Sequence, residues 1–279
     1  GCFNVAIGDL AGAGVTTGKC NIAIGKAAMD ALTCGLDNVA LGQNALGAMT
    51  RGCENVAIGK NTMSGVTTGA ALGNIAIGEG AINGTADTVG DHNVAIGTVA
   101  MTALTTGSDN VAMGRYAMDA LTTGPNNIAL GQNALGTATT AGYNVAIGYL
   151  AMGAGTATSG GANIAIGQTS MDALTSGGCN IAIGIDALGK ATDNLQNIAI
   201  GEGAMSCTSA DGDKNIGIGY MALGGGLTTG HCNVAIGVNT MDAMVTGVDN
   251  IALGKNSLGL AACGNYNIAM GGGAMAAAV

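Results

Sequence analysis

A short alternating phrase recurs along the whole chain: Asn, then Val or Ile, then Ala, then Ile, Leu or Met, then Gly. Each copy is numbered here from its Asn as position 0. The copies begin at Asn4, Asn21, Asn38, Asn55, Asn74, Asn93, Asn110, Asn127, Asn144, Asn163, Asn180, Asn197, Asn215, Asn233, Asn250 and Asn267, sixteen in all. Most successive gaps are 17 residues, three are 19 and two are 18. Position +1 is always Val or Ile, +2 is Ala except at Gly217, and +4 is always Gly. Alternation sends +1 and +3 to one face of a strand and +2 to the other. The glycine at +4 ends the strand at a corner, because it accepts a positive φ. A fixed period of this kind predicts one array of stacked coils over residues 1–279 rather than separate globular domains.

The pattern continues past the corner. Position +7 is Ala, Ser or Thr, and +8 is Met, Leu or Ile in all but the first copy, as in Met29, Leu46 and Met63. Position +11 is often Leu, as in Leu32, Leu104 and Leu121. These positions predict a second short strand over +6 to +8. A Thr/Ser/Gly loop follows and takes up the extra residues of the longer copies. A strand-plus-helix rung, as in leucine-rich repeats, is the alternative, since residues 27–32 are good helix formers. A segment of about two turns is marginal as a helix, however. The expected fold is therefore all-β: a parallel β-solenoid or β-roll of about 16 coils. With coils about 4.8 Å apart it would be an elongated rod of roughly 75 Å. One coil offers few apolar side chains (+1, +3, +8 and often +11), too few to offset the ordering of its own backbone, so only the stack is stable.

Alanine at +2 leaves two arrangements open. Either it forms a flat strip packed against a second strand or another subunit, or it fills a narrow coil while +1 and +3 face outward. Both leave a large apolar surface outside a single thin coil, and surfaces of that size mark interfaces. Self-association is the expected partnership, as a lateral trimer or a head-to-tail filament. The chain opens inside a repeat without a signal-like leader, and it closes at Met270–Val279 without a polar cap. Both features suggest an array that continues, within a longer polypeptide or by end-to-end stacking.

Composition narrows the partners. Charged residues are 9% and the net charge is −9, which argues against nucleic acid, whose phosphates need a basic face. Mean hydropathy is +0.43, yet Gly, Asn and Thr interrupt every rung and no membrane-spanning helix is expected. Trp is absent and Phe occurs once, so the core must be thin.

Candidate chemistry is sparse. The invariant Asn is expected to form a side-chain ladder along the stack. Eight cysteines show no zinc-like spacing. Cys2 with Cys20, and Cys34 with Cys53, sit on neighbouring rungs at nearly matching phase and are candidate disulfides in an oxidising location. His92 and His231 lie eight rungs apart and share no site, and His231 and Cys232 face opposite ways on a strand. Carboxylates recur at +9 in Asp30, Asp119, Asp172 and Asp242. They are candidates for calcium, but the Gly-rich nonapeptide that binds it in other β-rolls is absent. Asn83-Gly-Thr85 is the one N-glycosylation triplet. No catalytic, cofactor-binding or metal-ligating residue is assigned, and the expectation is a non-enzymatic protein.

The phrase Asn-Val-Ala-Ile-Gly-x-x-Ala, as in Asn93–Ala100 and Asn144–Ala151, resembles the head repeats of trimeric autotransporter (YadA-like) adhesins. Thr123–Leu135 is similar to the related Asn-x-Ala-Ile-Gly-x-x-Ala-Leu repeats of phage tail fibres. The resemblance implies an extracellular parallel β-roll on a cell surface or virion, with three chains side by side in the adhesins. Here the period is about 17 rather than about 14. The functional expectation is a structural fibre or filament subunit with adhesive loops that engage a cell-surface glycan or protein receptor. A phage tail-fibre shaft and an ice-binding solenoid are the alternatives.

Overall fold

A computed structural model describes residues 1–67, 70–84, 90–155, 159–208, 212–226, 229–260 and 263–277. It divides into two compact units, Gly1–Ala141 and Gly142–Val279. Each is a parallel β-solenoid, and no helix occurs among the described residues.

In the first unit every rung contributes one three-residue strand at +1 to +3, from Val5–Ile7 to Ile128–Leu130, eight in all. Neighbours pair parallel and in strict register: Val5 with Ile22, Ala6 with Ala23, Ile7 with Ile24. The second unit repeats the arrangement with eight strands from Val145–Ile147 to Ile268–Met270. The 19-residue gaps do not disturb it, since Val56 pairs with Ile75 and Ile75 with Val94. The loop expected to hold the extra residues falls largely outside the described residues.

The choice left open by alanine is decided. Ala +2 is buried on every rung except the first, and Val or Ile at +1 faces outward with the residue at +3. The core is a narrow column of Ala +2, the small residue at +7, the large one at +8 and, where present, Leu or Met at +11. Met29, Met63, Met101 and Leu135 are fully buried at +8. Nothing larger than alanine fits at +2, because a larger side chain there would meet the +8 residue across a coil this thin: even a Cβ on Gly217 would lie 2.9 Å from Met205 Cγ.

The second strand expected at +6 to +8 is not a strand. The backbone there is a turn in which +6 and +8 both take left-handed φ, as at Ala27 (54°) and Met29 (52°). The alternation points successive N–H groups up and down the stack. Ala27 N–H donates to the Asp9 carbonyl of the rung before, and Met29 N–H to the Ala45 carbonyl of the rung after. An L-residue in this region costs about 1 kcal/mol or more, and the interstrand bonds of both neighbours hold it there. Half of the +6 positions are Asn or Gly, the residues that tolerate this conformation best. That composition was the available signal, and the regular apolar residue at +8 masked it.

Position −1 is left-handed as well, and so is glycine +4, with φ from 114° to 143°. At +4 the close approach of coils adds a second reason for glycine: a Cβ on Gly8 would lie 2.7 Å from the Gly25 carbonyl oxygen. A second line of pairing does exist, but at −2 rather than +6 to +8. Arg51–Cys53 pairs parallel with Ala70–Leu72, and Lys19, Leu36 and Cys53 form single bridges in sequence.

Candidate functional site

Three features of the rung carry chemistry: a buried polar spine, an acidic corner and an outward apolar face. The spine is built from the Asn at position 0. Asn110 shows the full pattern. Its backbone N–H and its Nδ2 both donate to Asn93 Oδ1, at 3.0 and 3.1 Å, and Nδ2 also donates to the Gly124 carbonyl at 2.9 Å. Its own Oδ1 accepts from Asn127 N and Nδ2. In the second unit Asn233 and Asn250 repeat this. The side chains from Asn21 to Asn250 are buried to 1% exposure or less. Each one satisfies the backbone at a corner where the strand ladder has not yet begun.

A second ladder, made of hydroxyls, runs at +12. Thr16, Thr33, Thr50, Thr105, Thr122 and Thr175 each donate Oγ1 to the +12 carbonyl of the next rung. The Thr/Ser/Gly loop expected here thus contains a regular ladder. These hydroxyls are turned into the stack rather than presented as a free array.

The cysteines are all free thiols. Cys2 stands at −2 and Cys20 at −1; Cys34 stands at −4 and Cys53 at −2. Cys20 N–H does donate to the Cys2 carbonyl, so the backbones are adjacent. Cys2 and Cys20 are thus offset by one position on neighbouring rungs, and Cys34 and Cys53 by two. Thr85 of the glycosylation triplet lies outside the described residues, as do Ala261 and Ala262.

The carboxylates at +9 line one corner. Burial raises the Asp119 pKa above its ordinary value of 3.8, against donation from the backbone N–H groups of Asp119 and Ala120. Asp172 is raised first by burial and then by the Asp186 charge. In the second unit this corner opens into a groove of about 570 Å³ lined by Asp172, Asp186, Lys190, Glu202, Cys207 and Tyr220. The Thr169 hydroxyl donates to Asp186 beside it. Asp30, Asp119, Asp172 and Asp242 stand on separate, non-adjacent rungs. No group of three or more His, Cys, Asp or Glu among the described residues is placed to hold a metal ion. His92 forms an exposed pair with Asp109 at 3.9 Å, and His231 Nδ1 accepts from Asp213 N–H.

The outward face is the largest feature. None of the thirty-two side chains at +1 and +3 is charged or polar. In the first unit Val5, Ile7, Ile22, Ile24, Ile75, Met113 and Ile128 are 36–58% exposed. The remaining members are half-buried. The two rims, at −1 and +5, frame this face.

No protein-family model matches the chain, and no curated protein matches it in sequence.

Proposed function

We propose that this chain is a non-enzymatic building unit of an extracellular fibre or filament. It would be displayed on a cell surface or virion and would make adhesive contacts through its loops. The observation that carries the reading is the regular, uncharged Val/Ile face on every rung of each unit. Contiguous apolar surface of this extent is uncommon on a monomer that acts alone. Its regular spacing favours association with an equally regular partner. Repetition also favours avidity, because many weak contacts at loops of equal phase add up when the units are linked. The resemblance of Asn93–Ala100 and Thr123–Leu135 to adhesin-head and tail-fibre repeats agrees with this reading.

Within it a glycan or protein on a cell surface is the partner proposed for the loops, and neither nucleic acid nor membrane insertion is part of the function. No helix among the described residues is long and apolar enough to cross a membrane. The ice-binding alternative receives no support, since the threonine hydroxyls at +12 are spent on carbonyls within the stack.

Negative-stain microscopy of the purified chain tests the proposal. Rods or threads of uniform width are the expected result. Compact particles with no tendency to associate at micromolar concentration would overturn it.

A further inference from the structure

The outward face also specifies how two copies meet. We infer that it docks on the same face of a second copy, with the two stacks parallel and in register. The inference rests on the proposed self-associating subunit and adds the partner surface and its orientation.

Area comes first. Across the eight rungs of the first unit, sixteen apolar side chains offer on the order of 800 Å², which is what one partner of a standard protein interface contributes. The face carries no charge that would have to be desolvated. Two such faces can pack as aligned sheets about 10 Å apart.

The rims then choose the orientation. Positions −1 and +5 lie three residues to either side of the central Ala +2, so a twofold axis just outside the face, running parallel to the Ala column, carries one rim over the other. In the first unit the −1 rim holds Asp37, Glu54 and Asp109, all exposed, and apart from His92 it holds no basic side chain. The +5 rim holds Lys26, Lys60 and Arg115, also exposed, together with Asp9 and Glu79.

A twofold axis parallel to the stack brings each rung level with its own copy. Glu54 then meets the partner's Lys60, and Asp109 meets the partner's Arg115. Both pairs occur twice, as an isologous interface requires. A twofold axis along the strands would reverse the second stack and lay the acidic rim on itself, with like charges opposed. In the single chain Lys60 contacts Glu79 at 3.5 Å and Arg115 lies over the Tyr116 ring. Exposed pairs of that kind are weak enough to be shared or exchanged.

Sedimentation equilibrium of the full 279-residue chain at low salt, with circular dichroism as the folding control, tests this. A dimer is expected, and Ile58→Lys together with Ile77→Lys should make it monomeric with an unchanged spectrum. Glu54→Lys should weaken the dimer about tenfold, Lys60→Glu should do the same, and the double exchange should restore it. A monomeric or trimeric wild type would overturn the inference. So would a Glu54→Lys variant that dimerises as well as or better than wild type, the result a reversed stack predicts. Threads one chain wide would refute this pairing while leaving the fibre reading intact. A dimer that never builds rods or threads would do the opposite.

Discussion

The two units have equivalent interiors and different rims. In each, away from the first and last rungs of the chain, Asn 0, the small residue at +2 and the large residue at +8 are buried at equivalent positions. Around the same Val/Ile face, however, the first unit places Asp37, Glu54 and Asp109 on one side and Lys26, Lys60 and Arg115 on the other. The second places Tyr143 and Tyr266 at −1, and Tyr149, Ile185, Tyr220 and Val238 at +5, all between 41% and 78% exposed, beside a sparser set of charges: Lys214 and Asp249 at −1, Glu202 and Lys255 at +5. The interior is constrained by stacking, which punishes any departure from the column. The rim is free to vary, so that is where the units diverge. Charged rims give orientation to a contact, whereas tyrosine rims widen it and add polar tips to an apolar body.

The largest expected effect tests the shared interior. Asn110→Ala would leave the Asn127 N–H and the Gly124 carbonyl without their side-chain partner inside the stack. Asn233→Ala would do the same to Asn250 N–H and the Gly247 carbonyl. Each should cost about 2–4 kcal/mol by chemical denaturation. A loss in one unit without a similar loss in the other would break the equivalence of their cores. Next, Met101→Ala and Met241→Ala each empty a fully buried +8 site and should cost about 2–4 kcal/mol.

The rims should respond to salt in opposite ways. Self-association that depends on the first unit should weaken between 50 mM and about 500 mM NaCl, as screening shortens to a few ångströms. Association that depends on Tyr149 and Tyr220 should persist or strengthen. Sedimentation of Glu54→Lys and Tyr149→Ser variants across that range separates the two.

The smallest effect concerns the acidic corner. A carboxyl whose folded pKa is raised binds protons more readily folded than unfolded. Its contribution to stability is therefore fully present below 3.8 and is lost as the pH rises through the folded pKa. Asp172→Asn should then melt slightly higher than wild type at pH 7, with the gain vanishing as the pH falls below 3.8. Asp186→Asn should lower the Asp172 pKa, read by carboxyl NMR titration. Asp119, raised mainly by burial, should not move in either variant.

Ala27→Gly sharpens a separate point. Ala27 has a left-handed φ of 54°, so glycine should stabilise the rung by up to about 1 kcal/mol. At an ordinary strand position the same change would cost about that much.

Much of the molecule was legible in advance. The period, the strand at +1 to +3, the Gly corner and the all-β stacked fold follow from Asn-Val-Ala-Ile-Gly, because alternation and a positive-φ residue are local properties. The turn at +6 to +8 was not legible. Left-handed Met and Leu at +8 contradict intrinsic preference, and only the hydrogen bonds of the rungs above and below make that backbone worthwhile. The threonine ladder at +12 was hidden for a related reason, since the acceptor of Thr33 is the carbonyl of Thr50, 17 residues away.

The sequence alone determined that the chain repeats, that each strand ends at the glycine of +4, and which residues fall in phase. Which face of the strand lies inside was decided only by the tertiary structure. A three-residue strand reading Val-Ala-Ile is consistent with either face buried. The narrow gap to the +8 side chains admits alanine and excludes isoleucine, and that volume limit turns the apolar residues outward.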